Sequence, residues 1–259
     1  MTVRILVFGA HPDDAEFHAG GSLAIHAVHG NVIHLVSVTD GSAGHHQLPR
    51  DELAQRRLHE AQRAAAILGA TLDVWPRRDG ELEPTLSLRN RVIVAMRQFK
   101  PDLVLTHRIH DYHPDHRAVA MAVRDACYMV RVPNVVPAVA ALTREPVVAA
   151  FADFFSQPAP FRADAVVDIE GVFATVVAML DCHASQVYEW IPHTLDLAAS
   201  VPAAAADRHV WLDAFHRRYA GRVARHFAPG YTVAEAFEVS EYARRPTAAE
   251  LSSLFPAFG

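Results

Sequence analysis

Four times in the first 130 residues a short, nearly unbroken apolar run gives way to a longer segment with helical periodicity. This alternation limits the fold more than any other feature of the chain. Val3–Phe8 leads to a helical stretch over Glu16–His29 that Gly30 ends. Val32–Val38 leads to Arg50–Leu68, where Leu53, Leu58, Ala61, Ala65 and Leu68 keep helical spacing up to Gly69. Leu72–Trp75 precedes Leu88–Phe99, which stops before Pro101, and Leu103–Thr106 precedes His116–Val130. A strand that is apolar on both faces needs cover on both faces. Strand–helix–strand repetition supplies that cover through right-handed crossovers. The pattern predicts an α/β fold with a mainly parallel sheet flanked by helices.

Beyond residue 130 the pattern loosens. Val147–Phe151, Ala165–Ile169 and Glu235–Ser240 read as strands, and Gly171–Val187 and Val210–His226 as helices. Pro133, Pro137, Pro146, Pro158 and Pro160 mark a loop-rich middle, but no low-complexity linker divides the chain. One domain over residues 1–259 is expected, and the apolar middle loops suggest a face through which copies could form a homo-oligomer.

Composition removes several classes of function. Hydrophobic residues at 51% and charged residues at 20% exclude a disordered chain. With 24 basic against 29 acidic residues, the chain offers no basic face for nucleic acid. Cys127 and Cys182 lie in apolar helical patterns and read as buried free thiols. The opening residues lack a signal peptide's features, and no apolar run is long enough to span a bilayer. A soluble, cytoplasmic protein with no membrane or nucleic-acid partner is expected. The 17 histidines are the unusual entry, and the question is which of them meet carboxylates at ligand spacing. His18, His26 and His29 read as decoration on one helix.

Open α/β sheets bind ligands beyond the carboxyl ends of their strands. The two most polar strand exits are Gly9-Ala-His-Pro-Asp-Asp14 after the first strand and His107-Arg-Ile-His-Asp-Tyr-His-Pro-Asp-His116 after the fourth. Each contains His-Pro-Asp. His11 and Asp14 stand three residues apart, as do His113 and His116. One such triplet is an ordinary turn in which Pro fixes φ and Asp caps the next helix. Two of them, each directly after a parallel strand, point to a shared ion.

A catalytic zinc takes three protein ligands from His and carboxylate and keeps one position open. Iron(II) or another divalent metal also suits such a set. Hydrolysis then needs a carboxylate to accept the water's proton, and a group to steady the oxyanion or protonate the leaving nitrogen. The spacing alone leaves open which histidine of the second exit binds metal.

These residues resemble the PIG-L/LmbE-like deacetylase family, which includes amino-sugar deacetylases of GPI-anchor, mycothiol and bacillithiol biosynthesis. Ala10-His-Pro-Asp-Asp14 and Asp111-Tyr-His-Pro-Asp-His116 carry the resemblance. Thr39-Asp-Gly41, Arg57 with Glu60, Asp79-Gly80, His183-Ala-Ser-Gln186 and Ala236-Phe-Glu-Val-Ser240 extend it along the chain. The resemblance implies a Rossmann-like fold and Zn2+ ligands His11, Asp14 and His116. It implies Asp13 as general base, His113 as the group that stabilises the oxyanion or protonates the amine, and Asp115 as the partner of His113. The substrate it implies is a small N-acylated molecule such as a GlcNAc conjugate; the near alternative is a thiol conjugate or non-sugar acyl amine. Candidate substrate contacts are Arg57, Asp79, His45 and Tyr112, the last as a hydroxyl donor; the plainer explanations are an ion pair with Glu60 for Arg57, an Asp-Gly turn for Asp79 and an exposed loop for His45.

Overall fold

The computed structural model describes residues 2–256. The first half follows the predicted alternation: β1 (Arg4–Gly9), α1 (Asp14–Val28), β2 (Val32–Ser37), α2 (Arg50–Leu68), β3 (Thr71–Val74), α3 (Leu86–Phe99), β4 (Leu103–Thr106) and α4 (Pro114–Met129). Then come β5 (Val147–Phe151), β6 (Ala165–Asp168), α5 (Phe173–Cys182), α6 (Ile191–Thr194), α7 (Ala205–Phe227), β7 (Ala234–Val239) and α8 (Ala248–Leu254). Local chemistry sets several boundaries. The Thr85 hydroxyl accepts from Leu88 N–H to open α3, and Gly69 ends α2 with φ 63°.

The seven strands form one sheet in the order β3-β2-β1-β4-β5-β7-β6. Alternate side chains of β1 face opposite layers. Ile5 and Val7 pack with Leu23, Phe173 and Val176 on one side, while Leu6 and Phe8 pack with Val92, Ile93 and Val119 on the other. Both faces are therefore sealed, which is why these strands read as unbroken apolar runs.

The sheet is mixed. β1 to β5 run parallel, but β7 is antiparallel to both of its neighbours, β5 and β6. An apolar pattern carries no strand direction, so this reversal was invisible in it. The helix expected over Gly171–Val187 also breaks. α5 stops at His183, and a wider helical turn covers Ser185–Trp190. Glu60 draws the chain aside there, accepting from both Ser185 N–H (3.0 Å) and its hydroxyl (2.5 Å).

Two of the three α1 histidines are not decoration. His18 stacks on Phe151 and bonds the Tyr219 hydroxyl through Nδ1. His26 is buried, with Nε2 against the Leu254 carbonyl. Cys127 is buried and Cys182 half-buried, and both are free thiols. Among the described residues no helix is long and apolar enough to cross a membrane.

Candidate metal centre

The chain leaves β1 for β2 on one side of the sheet, and β4 lies on the other. The strand order therefore reverses between β1 and β4, and a crevice opens at their carboxyl ends. Phe8 is in register with Thr106, so residues 9–14 and 107–116 leave the sheet side by side. The loop after β2 braces them from the other flank. Thr39 gives both its N–H (2.9 Å) and its hydroxyl (2.7 Å) to the Ala10 carbonyl. Gly41 has φ +65°, and a Cβ there would meet the Arg57 guanidinium at 2.6 Å and Pro12 at 2.7 Å, so only glycine fits.

Three donor residues converge in this crevice. His11 Nδ1 lies 3.3 Å from His116 Nε2 and 3.5 Å from Asp14 Oδ2. His116 Nε2 lies 3.6 Å from Asp14 Oδ1. Tetrahedral bonds of about 2.0–2.1 Å put neighbouring donors about 3.3–3.4 Å apart; the two imidazoles meet that spacing, and Asp14 approaches each of them with a different oxygen at 3.5 and 3.6 Å. Among the described residues three overlapping sets of possible ligands occur here: His11 with His113 and His116, Asp14 with His107 and His116, and His11 with Asp79 and Asp115.

The far side of each imidazole meets a carboxylate. Asp111 Oδ1 is 3.0 Å from His116 Nδ1. Asp79 Oδ1 is 3.2 Å and Asp115 Oδ2 3.5 Å from His11 Nε2. A carboxylate hydrogen-bonded behind an imidazole fixes its tautomer and orientation; Asp111 does this for His116 and turns Nε2 inward, whereas His11 Nε2 stands near Asp79 and Asp115 without an aligned hydrogen bond. Asp14 is held by the His11 N–H at 2.7 Å and lies 3.1 Å from His107 Nε2, whose ring stacks on His116 at 3.8 Å. Asp13, Asp14, Asp79, Asp111 and Asp115 crowd around these rings with Arg57 as the adjacent cation, so the crevice favours positive charge. Burial works against charge on His11 and Asp14. The neighbouring carboxylates nonetheless lift His11 well above its ordinary value, and the histidines hold Asp14 well below its own.

Asp13 begins α1 but makes no side-chain cap there. Its Oδ1 accepts from the Arg57 guanidinium at 2.6 Å, and among the described residues Oδ2 has no partner. His113 sits edge-on to His11, with ring centres 4.6 Å apart. Its Nδ1 accepts the Asp115 backbone N–H at 3.2 Å, capping α4. A neutral ring therefore carries its proton on Nε2. Burial, then the positive charge of His11 and His116, pushes His113 below its ordinary value, which keeps the ring neutral.

Four expected contacts differ. The Asp115 carboxylate does not pair with the His113 side chain; it accepts from Gly80 and Leu82 N–H and faces His11. Asp79 is buried, with Oδ2 taken by Ala43 N–H, so it backs His11 rather than meeting a sugar. Arg57 is buried and committed to Asp13 and the Gly41 carbonyl, so it is neither a substrate clamp nor the partner of Glu60. His45 accepts from Gln47 and Leu48 N–H and bonds Glu189, which leaves it no group for substrate. Tyr112 lies exposed at the mouth, with its ring 5.6 Å from that of His116.

Sequence reasoning missed Asp111 and His107 as site residues, although both stand in the second polar exit. The His183-Ala-Ser-Gln186 segment proves to be a buttress: Gln186 donates to the Gly44 carbonyl at 3.0 Å, and Ser185 is held by Glu60. His183 is buried beside Glu16, 3.7 Å away.

Residues 6–127 match the family model PIG-L, described as GlcNAc-PI de-N-acetylase. The chain is 27% identical to 4-oxalmesaconate hydratase of Pseudomonas putida over 197 residues, covering 73% of this chain and 76% of that one. It is 31% identical to diacetylchitobiose deacetylase of Thermococcus kodakarensis over 137 residues, 51% of each chain. An uncharacterized Escherichia coli deacetylase, YaiS, is 32% identical over 48% of this chain and 67% of its own. Among solved structures, the N,N'-diacetylchitobiose deacetylase of Pyrococcus horikoshii superposes with a TM-score of 0.75 at 21% identity, covering 95% of this chain and 88% of that one.

Proposed function

This chain belongs to the PIG-L family of de-N-acetylases, and from that premise we propose that it hydrolyses an N-acetyl or related N-acyl amide on an amino sugar such as a GlcNAc conjugate. His11, Asp14 and His116 are the proposed ligands of a divalent ion, with zinc the first candidate. When bound, such an ion would supply a Lewis acid and lower the pKa of a water towards about 7.

The chain's own residues do the rest. Arg57 pins one oxygen of Asp13, so the other is presented to take the attacking water's proton. The Asp115 backbone N–H keeps His113 Nδ1 occupied, so His113 Nε2–H is the donor that steadies the developing oxyanion, and the proton that Asp13 takes from the water is the one passed to the departing nitrogen. Asp111 orients the His116 ring, and Asp79 and Asp115 stand behind that of His11.

The hydratase relative raises a second reading, in which water adds across the double bond of an unsaturated polycarboxylate. The observation that favours amide hydrolysis is the charge of the crevice. Five carboxylates surround the donors, and Arg57 with a divalent ion offsets only three. Such a site disfavours a polyanion and accepts a neutral acylated sugar. N-acyl amines without a sugar, or thiol conjugates, would use the same chemistry with a different pocket.

The test measures acetate and primary amine released by metal-loaded protein from N-acetylglucosamine, diacetylchitobiose and non-sugar N-acetyl amines. Loss of ultraviolet absorbance from a conjugated dienoate is followed in parallel. Equal amounts of acetate and amine from the sugars are expected. Hydration of the dienoate without amide cleavage would overturn the proposal.

A further inference from the structure

Large aromatic side chains held open to water beside a reaction centre commonly mark a recognition surface. Tyr112 is 69% exposed and Phe155 41% exposed, and their ring centres lie 6.1 Å apart. They come from separate segments, one after β4 and one after β5, that meet at the carboxyl edge of the sheet. Tyr112 also stands edge-on to His113, at 5.8 Å and 87°.

Neither position is slack. The Tyr112 carbonyl accepts from the Arg117 guanidinium at 2.9 Å. The Phe155 N–H donates to Asp153 Oδ1 at 3.0 Å, and Arg108 grips both oxygens of Asp153 at 3.0 and 3.1 Å. The fold thus fixes the backbone beneath two rings that it leaves partly open to water and inclined at 46° to each other.

We propose that Tyr112 and Phe155 form a stacking platform for the pyranose ring that carries the scissile amide. Resting on the deacetylase reading, this assigns the occupant by position. The pair adjoins His113 at the mouth of the crevice, where the part of the substrate beyond the scissile amide has to lie, so the ring that carries the nitrogen is placed over it. A pyranose suits such a surface because its C–H groups meet the aromatic faces while its hydroxyls stay in water.

The experiment compares methyl N-acetylglucosaminide with N-acetylethanolamine, which has the same amide but no ring. It uses wild type, Tyr112→Ala, Tyr112→Phe and Phe155→Ala. Either alanine should raise KM for the ring substrate about three- to tenfold and leave kcat within about twofold. The acyclic amide should lose much less than the ring substrate, and Tyr112→Phe should keep the low KM for the ring substrate. Saturation-transfer NMR of glucosamine provides a readout independent of turnover, and ring-proton contacts should weaken in both alanine variants. Equal losses on the two amides, failure of Tyr112→Phe, or glucosamine binding that ignores both rings would overturn the platform. Ring-dependent glucosamine binding without cleavage of either amide would instead leave the platform standing and remove the proposed reaction.

Discussion

Asp111 is the carboxylate whose removal should report most cleanly on how the ligands are held. Its Oδ1 lies 3.0 Å from His116 Nδ1 and accepts the His113 N–H at 2.8 Å. Asp111→Asn keeps an acceptor and loses the charge. A hydrogen bond to a charged group is worth about 1.5–3 kcal/mol net, against about 0.5–1.5 for a neutral pair. The deficit of about 1 kcal/mol weakens metal binding about fivefold. Asp111→Ala removes the acceptor altogether and frees the turn before His113, so the loss should reach the roughly 10–100-fold typical for a carboxylate behind a ligating histidine. The assay is competition for zinc against a chelating dye, with thermal melting of the metal-free variants as the control for folding. Metal dissociation constants for both variants within about twofold of wild type would refute the reasoning.

Asp13→Asn should retain metal and lose turnover by about 10²–10⁴-fold; a near-native kcat would remove Asp13 as the base. Acid should destabilise the fold through His216, which is buried with Nδ1 unpartnered and whose pKa burial pushes down from 6.5 to about 3. Between those values the unfolded chain takes up a proton that the folded chain refuses. Stability therefore falls with decreasing pH by about 1.4 kcal/mol per pH unit from this residue. His216→Phe should flatten that slope in urea melts below pH 6.5, and an unchanged slope would contradict the assignment. Arg97 is fully buried and donates to six carbonyls, those of Met129, Val130, Val132, Val135, Val136 and Val139. Arg97→Met should cost at least about 3 kcal/mol in a denaturant melt, and a loss under 1 kcal/mol, about the cost of an ordinary surface change, would show that this loop does not depend on it.

What could be read from the sequence and what could not divide along physical lines. β1, β2 and β4 are apolar on both faces because helices cover both, and such a run is visible without neighbours. The two polar exits were legible for a related reason: charged and imidazole groups directly after a buried strand have few purely structural uses. Partner choice was not legible. Asp79 backs His11 across 68 residues of chain and Arg57 reaches Asp13 across 44, and only the closed fold brings them together. Asp115 looked like the companion of His113 because they are neighbours in sequence. The first turn of α4 instead turns its carboxylate towards Gly80 and Leu82 N–H. The direction of β7 and the break at His183 belong to the same class, since each depends on a partner strand or on Glu60 rather than on local pattern.

Anomalous diffraction at the absorption edge of the metal that co-purifies tests the central claim most directly. The account predicts one strong peak, about 2.0–2.2 Å from His11 Nδ1, an Asp14 oxygen and His116 Nε2. An ion seated instead with His107 or between Asp79 and Asp115, or a crevice that takes up no metal from solution, would contradict it.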